Sequence, residues 1–106
     1  MDIFQLVQKS ALHDCELQRI EVDYVGAWVN LQLRSPQGQE KNLLVERFVS
    51  FEITHKEEWG KGKYVGFSDI CFDSELGQYL LEIELNSGDY IKICFDLAHS
   101  KSAELE

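Results

Sequence analysis

The stretch Tyr79-Leu80-Leu81-Glu82-Ile83-Glu84-Leu85-Asn86-Ser87-Gly88-Asp89-Tyr90-Ile91-Lys92-Ile93-Cys94-Phe95 decides the fold. Tyr79, Leu81, Ile83 and Leu85 alternate with Leu80, Glu82 and Glu84. After a short interruption, Ile91, Ile93 and Phe95 alternate with Tyr90, Lys92 and Cys94. A period of two places one series on each face of a β-strand. The interruption, Asn86-Ser87-Gly88, carries the residues of a three-residue hairpin loop, a type I turn followed by a left-handed glycine. That loop pairs Leu85 with Asp89, Ile83 with Ile91, Leu81 with Ile93 and Tyr79 with Phe95. A two-residue loop would set Ile83 against Lys92 and break the apolar face. On the other face the same register sets Glu82 opposite Lys92.

The same grammar extends towards the N-terminus. Ile20, Val22 and Tyr24 alternate with Glu21 and Asp23, and after Gly26 the series resumes as Ala27, Val29, Leu31 and Leu33. Either Tyr24 or Val22 can stand opposite Ala27, and both registers keep the apolar residues together. Ser35-Pro36-Gln37-Gly38-Gln39 is a turn by composition. With Arg34 opposite Glu40, Leu31 faces Leu43 and Val29 faces Val45. The pattern falters at Glu46-Arg47 and recovers as Val49, Phe51 and Ile53, which reads as a bulge or a break into a further strand. Residues 55–63 read as a loop. A strand follows around Tyr64 to Phe72, with Ile70 and Phe72 facing inward.

Ile70-Cys71-Phe72-Asp73 matches Ile93-Cys94-Phe95-Asp96, which reads as two strands in similar surroundings and not as a duplicated domain. At the N-terminus, Asp2 and Gln5 form a capping pattern, and Ile3, Leu6, Val7 and Ala11 follow at helical spacing. Leu80, Cys94, Tyr90 and Trp28 fall on the face opposite the main apolar one, so that face is expected to be partly covered. The expected fold is mainly β, α+β at the margin. A twisted antiparallel sheet of six or seven strands closes into a sandwich or half-barrel, with one short helix over residues 2–12. The hairpins span 16–96, residues 97–106 form a tail, and Leu105-Glu106 has the form of an affinity-tag junction.

The 106 residues suit one domain with its own core. Ten basic against nineteen acidic residues give a net charge of -9, which disfavours nucleic acid and favours a basic partner. No apolar run approaches the roughly 20 residues of a membrane span. The acidic, interrupted N-terminus lacks the features of a secretory signal. Cys15, Cys71 and Cys94 are odd in number and lack framework spacing, as expected of a reducing cytoplasm.

Candidate chemistry is sparse. His13-Asp14-Cys15 joins a base, an acid and a nucleophile, but neighbours on an extended chain point apart, so a turn with Asp14 bonding backbone amides is expected. His13, His55 and His99 are scattered and no Cys-x-x-Cys occurs, so no metal site and no cofactor are expected. Gly60-Lys61-Gly62-Lys63 lacks the strand–loop–helix frame of a phosphate loop. No catalytic constellation emerges, and the reading leans against an enzyme. Trp59, in a charged loop, is either a lid over the core edge or an anchor for a partner.

Leu12-His13-Asp14, Glu57-Glu58-Trp59-Gly60 and Ser87-Gly88-Asp89 together give most of the chain a resemblance to a group of small, uncharacterised bacterial β-rich proteins, and more loosely to immunity proteins of polymorphic toxin systems. The chain departs from the related pattern after Trp59-Gly60, where Lys61-Gly62-Lys63 replaces a small, proline-containing stretch. The resemblance implies neutralisation of a toxin by direct binding and brings no catalytic residues. The leading expectation is thus a non-catalytic cytoplasmic binding module, with Trp59, Glu57, Glu58, Trp28, Glu82 and Glu84 as partner-binding candidates. One alternative is a small-molecule binder or enzyme with a cavity lined by Tyr90, Cys94 and His13. The other is a homodimer that buries Trp28 and Leu80.

Overall fold

The computed structural model describes residues 12–56, 64–96 and 103–105. They form β1 (Glu16–Asp23), β2 (Trp28–Arg34), β3 (Glu40–Glu46), β4 (Phe48–Ile53), β5 (Val65–Asp73), β6 (Gln78–Leu85), β7 (Tyr90–Phe95) and β8 (Ala103–Leu105). The described residues contain no helix, so the fold there is all-β. The helix expected over 2–12 lies outside the described residues except for Leu12. That residue sits in a turn, its carbonyl accepting the Cys15 amide at 3.1 Å. The stretch expected as a tail contains β8, three residues long and too short to show an alternation.

The strands form two antiparallel sheets, β1-β2-β3-β8 and β4-β7-β6-β5. Their inner faces supply one core: Val29, Leu31 and Leu33 from β2, Leu43 and Val45 from β3, Leu81 and Ile83 from β6, and Ile91, Ile93 and Phe95 from β7. Fully burying such a side chain contributes roughly 1.5–3 kcal/mol. The decisive hairpin adopts the expected register, with Ile83 opposite Ile91, Leu81 opposite Ile93, Tyr79 opposite Phe95 and Glu82 opposite Lys92. Leu85 N–H bonds the Asp89 carbonyl at 2.8 Å, and Gly88 takes the left-handed φ of 92°. In the first hairpin Val22 faces Val29, the register that puts Tyr24 opposite Ala27.

The two halves of the chain are built alike at a spacing of fifty residues. Gly38 and Gly88 close equivalent turns, each donating to a carbonyl three residues back at 2.9 Å. Asp23 caps the β1–β2 turn by accepting the Gly26 amide at 2.7 Å, and Asp73 accepts the Leu76 amide at 3.2 Å in the β5–β6 turn. Each of those turns ends in a left-handed residue, Ala27 or Gly77. The pairs Val29–Val45 and Leu31–Leu43 recur as Tyr79–Phe95 and Leu81–Ile93. The fourth strand of each half crosses over: β4 joins β7 of the second half, and β8 joins β3 of the first. The Ile-Cys-Phe-Asp match has a different origin. Its two copies lie on β5 and β7, flanking β6, so Ile70 and Ile93 both oppose Leu81, and Phe72 and Phe95 both oppose Tyr79.

The sheets meet at two corners. Arg47, at φ 59°, turns the chain from β3 into β4, and Phe48 N–H bonds the Ala27 carbonyl across the corner at 3.1 Å. At the other corner Asp14 N–H bonds the Val65 carbonyl and Val65 N–H bonds the Cys15 carbonyl, both at 2.9 Å. Neither corner extends into a continuous ladder, so the assembly is a sandwich and not a closed barrel. The edge strands are protected in a consistent way: β1, β4 and β5 each carry a register shift, and β8 is short. Bulged or short edges discourage pairing with other chains.

Candidate interaction surface

The outer face of the second sheet follows directly from the alternation in its strands. One cross-strand row reads Phe67, Glu84 and Tyr90 over β5, β6 and β7. The next reads Asp69, Glu82, Lys92 and Glu52, continuing onto β4, and the third reads Cys71, Leu80, Cys94 and Ser50. Four carboxylates, those of Glu52, Asp69, Glu82 and Glu84, thus share the first two rows with one lysine. Lys92 Nζ lies 4.8 Å from the Tyr90 ring centroid, and the Tyr90 hydroxyl donates to Glu52 Oε1 at 2.8 Å. That bond to an anion, with some burial, raises the tyrosine pKa above its ordinary value. A cleft of about 330 Å³ opens here, lined by Phe67, Glu82, Glu84, Tyr90 and Lys92.

The outer face of the first sheet is electrically mixed. Arg19 pairs with Glu21 at 3.3 Å and Arg34 with Glu40 at 3.5 Å, while Asn30 donates to Asn42 at 3.2 Å. Such exposed pairs contribute little to stability. Trp28 is half-buried on this face, its ring so close to Gly26 that an added Cβ would stand 2.8 Å from Cδ1.

The candidate residues therefore separate. Glu82 and Glu84 share the acidic face, Trp28 belongs to the opposite sheet, and Glu57, Glu58 and Trp59 lie outside the described residues. Tyr90 and Phe67, absent from the sequence-based candidates for a partner, join Glu84. Their only sequence signal was aromatic residues on strand faces otherwise rich in acids.

His13, Asp14 and Cys15 do not assemble a reactive group. Asp14 takes φ 64° in a turn, and its carboxylate meets His13 Nδ1 at 3.2 Å on the surface. Cys15 points into the core, where burial pushes its thiol pKa up. Among the described residues, Tyr90 and Cys94 border different clefts. Cys94 borders a separate cleft of about 460 Å³ with Cys71, Leu76, Tyr79 and Leu80. Cys71 and Cys94 flank β6, so two strand spacings, roughly 9.5 Å, separate their backbones, beyond the reach of a disulfide. Burial, followed by the charges of Asp69, Glu82 and Asp73, raises the Cys71 thiol.

No group of three or more metal-ligating side chains occurs among the described residues, and no helix there is long and apolar enough to cross a membrane. The sequence matches no protein-family model and no curated protein.

Proposed function

We propose that this chain is a non-catalytic cytoplasmic bacterial binding module, immunity-like in its mode of action, that docks a basic protein on the outer face of its second sheet. The row Asp69–Glu82–Lys92–Glu52, with Glu84 beside it, carries the reading. A concentration of carboxylates on one face steers a cationic partner into place and makes its association rate sensitive to salt. The net charge of -9 supplies a long-range field that attracts a cationic partner to the chain.

The test is capture of partners from a lysate of the source organism, using the wild-type chain and the Glu82→Lys/Glu84→Lys variant at low and high salt. A basic protein held by the wild type at low salt, shed at high salt and lost with the variant is the expected result. A partner indifferent to both salt and charge reversal overturns the reading.

A second reading, a small-molecule binder, draws on the cleft beside Cys71, Leu80 and Cys94, whose volume of about 460 Å³ is that of a typical ligand site.

A further inference from the structure

The row Phe67–Glu84–Tyr90 has a composition that the rest of the acidic face lacks. Glu84 on β6 stands directly between Phe67 on β5 and Tyr90 on β7, so a carboxylate is flanked by two aromatic side chains. The two flanking strands lie two spacings apart, roughly 9.5 Å. Phe67 is 53% exposed, large for an aromatic side chain in a strand, and it borders the cleft of about 330 Å³ together with Glu84 and Tyr90. The Tyr90 ring already engages a cation, the Lys92 ammonium at 4.8 Å, supplied by the chain itself.

We infer that this cleft receives an arginine side chain of the basic partner, stacked against Phe67 and Tyr90 with its guanidinium on Glu84. The inference rests on the proposed docking of a basic protein to this face and names the group that the face selects. Arginine fits better than lysine for a physical reason. Its planar guanidinium stacks on aromatic faces and presents paired N–H donors to a carboxylate, whereas an ammonium is a compact, strongly hydrated charge. Asp69, Glu82 and Glu52 attract either cation; the aromatic walls and the paired contact to Glu84 distinguish the two.

The experiment measures binding of hexa-arginine and hexa-lysine peptides to the full chain at low and high salt. It is repeated with Phe67→Ala and Glu84→Gln, both at exposed positions, with circular dichroism confirming the fold. Hexa-arginine is expected to bind about two- to fivefold more tightly than hexa-lysine, the range of an exposed cation–aromatic contact. Phe67→Ala should reduce that preference without changing the charge, and Glu84→Gln should weaken hexa-arginine more than hexa-lysine. Equal, salt-sensitive affinities for the two peptides would overturn the arginine cleft while leaving the acidic docking face standing. A preference that survives both substitutions would place arginine recognition elsewhere and also overturn the inference. Failure of both peptides to bind at low salt would remove the docking face and the cleft together.

Discussion

Asp89 is the buried charged side chain of the described structure, 5% exposed at the mouth of the β6–β7 turn. Its Oδ1 accepts the Thr54 hydroxyl at 2.9 Å and the Lys56 amide at 2.8 Å, and its Oδ2 accepts the Ser87 hydroxyl at 3.1 Å. It thereby ties the hairpin turn to the segment leaving β4. Burial works to raise its pKa, but the Lys56 amide, the two hydroxyls and the nearby His55 outweigh burial and hold it below the usual carboxylate value. A depressed pKa means stabilisation that is complete above the unfolded value, roughly 4, and lost as pH falls through the lower folded value. Asp89→Asn should therefore lower the thermal midpoint at neutral pH, and the gap from wild type should close on acidification below about pH 4. Melting curves across pH check this; a gap independent of pH would contradict it.

Cys71 gives a second expectation at this scale. The thiol is exposed, yet its raised pKa leaves little thiolate at neutral pH. Labelling by a disulfide reagent at pH 7.5 should be slower for Cys71 than for a free cysteine peptide. Added salt, by screening Asp69, Glu82 and Asp73, should narrow the difference. Asp69 and Asp73 share the Cys71 face by the period of their strand, and Ser87 is two residues from Asp89. Thr54 reaches Asp89 and Glu82 reaches the Cys71 side only through the tertiary structure, so those partners were not legible in the sequence.

Among the elements, the β6–β7 hairpin was the most legible, because turn chemistry and apolar period specify one register independently. Its inner residues Leu81, Ile83, Ile91, Ile93 and Phe95 are fully buried. Ile93 has no exposed surface and is flanked by Leu81 and Phe51 on the neighbouring strands. Ile93→Ala should cost about 2–5 kcal/mol in chemical denaturation. Val49→Ala, at the register shift of β4 and 54% exposed, should stay within about 0.5 kcal/mol. The β1–β2 hairpin left two registers open, since both kept the apolar residues on one face. The four-residue turn capped by Asp23 and ended by left-handed Ala27 selected between them. Three-residue β8 has no pattern to read and exists by pairing with β3.

For the whole molecule, the fifty-residue repeat and its exchanged fourth strands have a mechanical consequence. Each half supplies a strand to the other's sheet and one face of the shared core. Separate fragments 1–56 and 57–106 should each lack a cooperative thermal transition. Mixed in equal amounts, they should recover the β-sheet circular dichroism of the intact chain. A fragment that melts cooperatively alone would show that the halves are independent. The repeat is faint in the sequence because it survives only at turn and core positions such as Asp23 and Asp73, Leu31 and Leu81, or Gly38 and Gly88. Core positions accept many apolar residues of suitable volume, so likeness of structure outlasts likeness of sequence.

The sequence by itself determined the longer strands and the core faces of the β2–β3 and β6–β7 hairpins, because each depends on residues close together in the chain. It did not show β8, and Phe72, read as facing inward, is 53% exposed. The sequence also determined the excess of negative charge, which is a sum and needs no geometry. Only the tertiary structure decided that the hairpins divide into two sheets, that β4 crosses at Arg47 to pair with β7, and that Glu52 and Asp69 join Glu82 and Lys92 in one row. Strand order depends on contacts between distant segments, and alternation along a strand carries no mark of which neighbour it will meet. The acidic face and its Phe67–Glu84–Tyr90 row arise from that order.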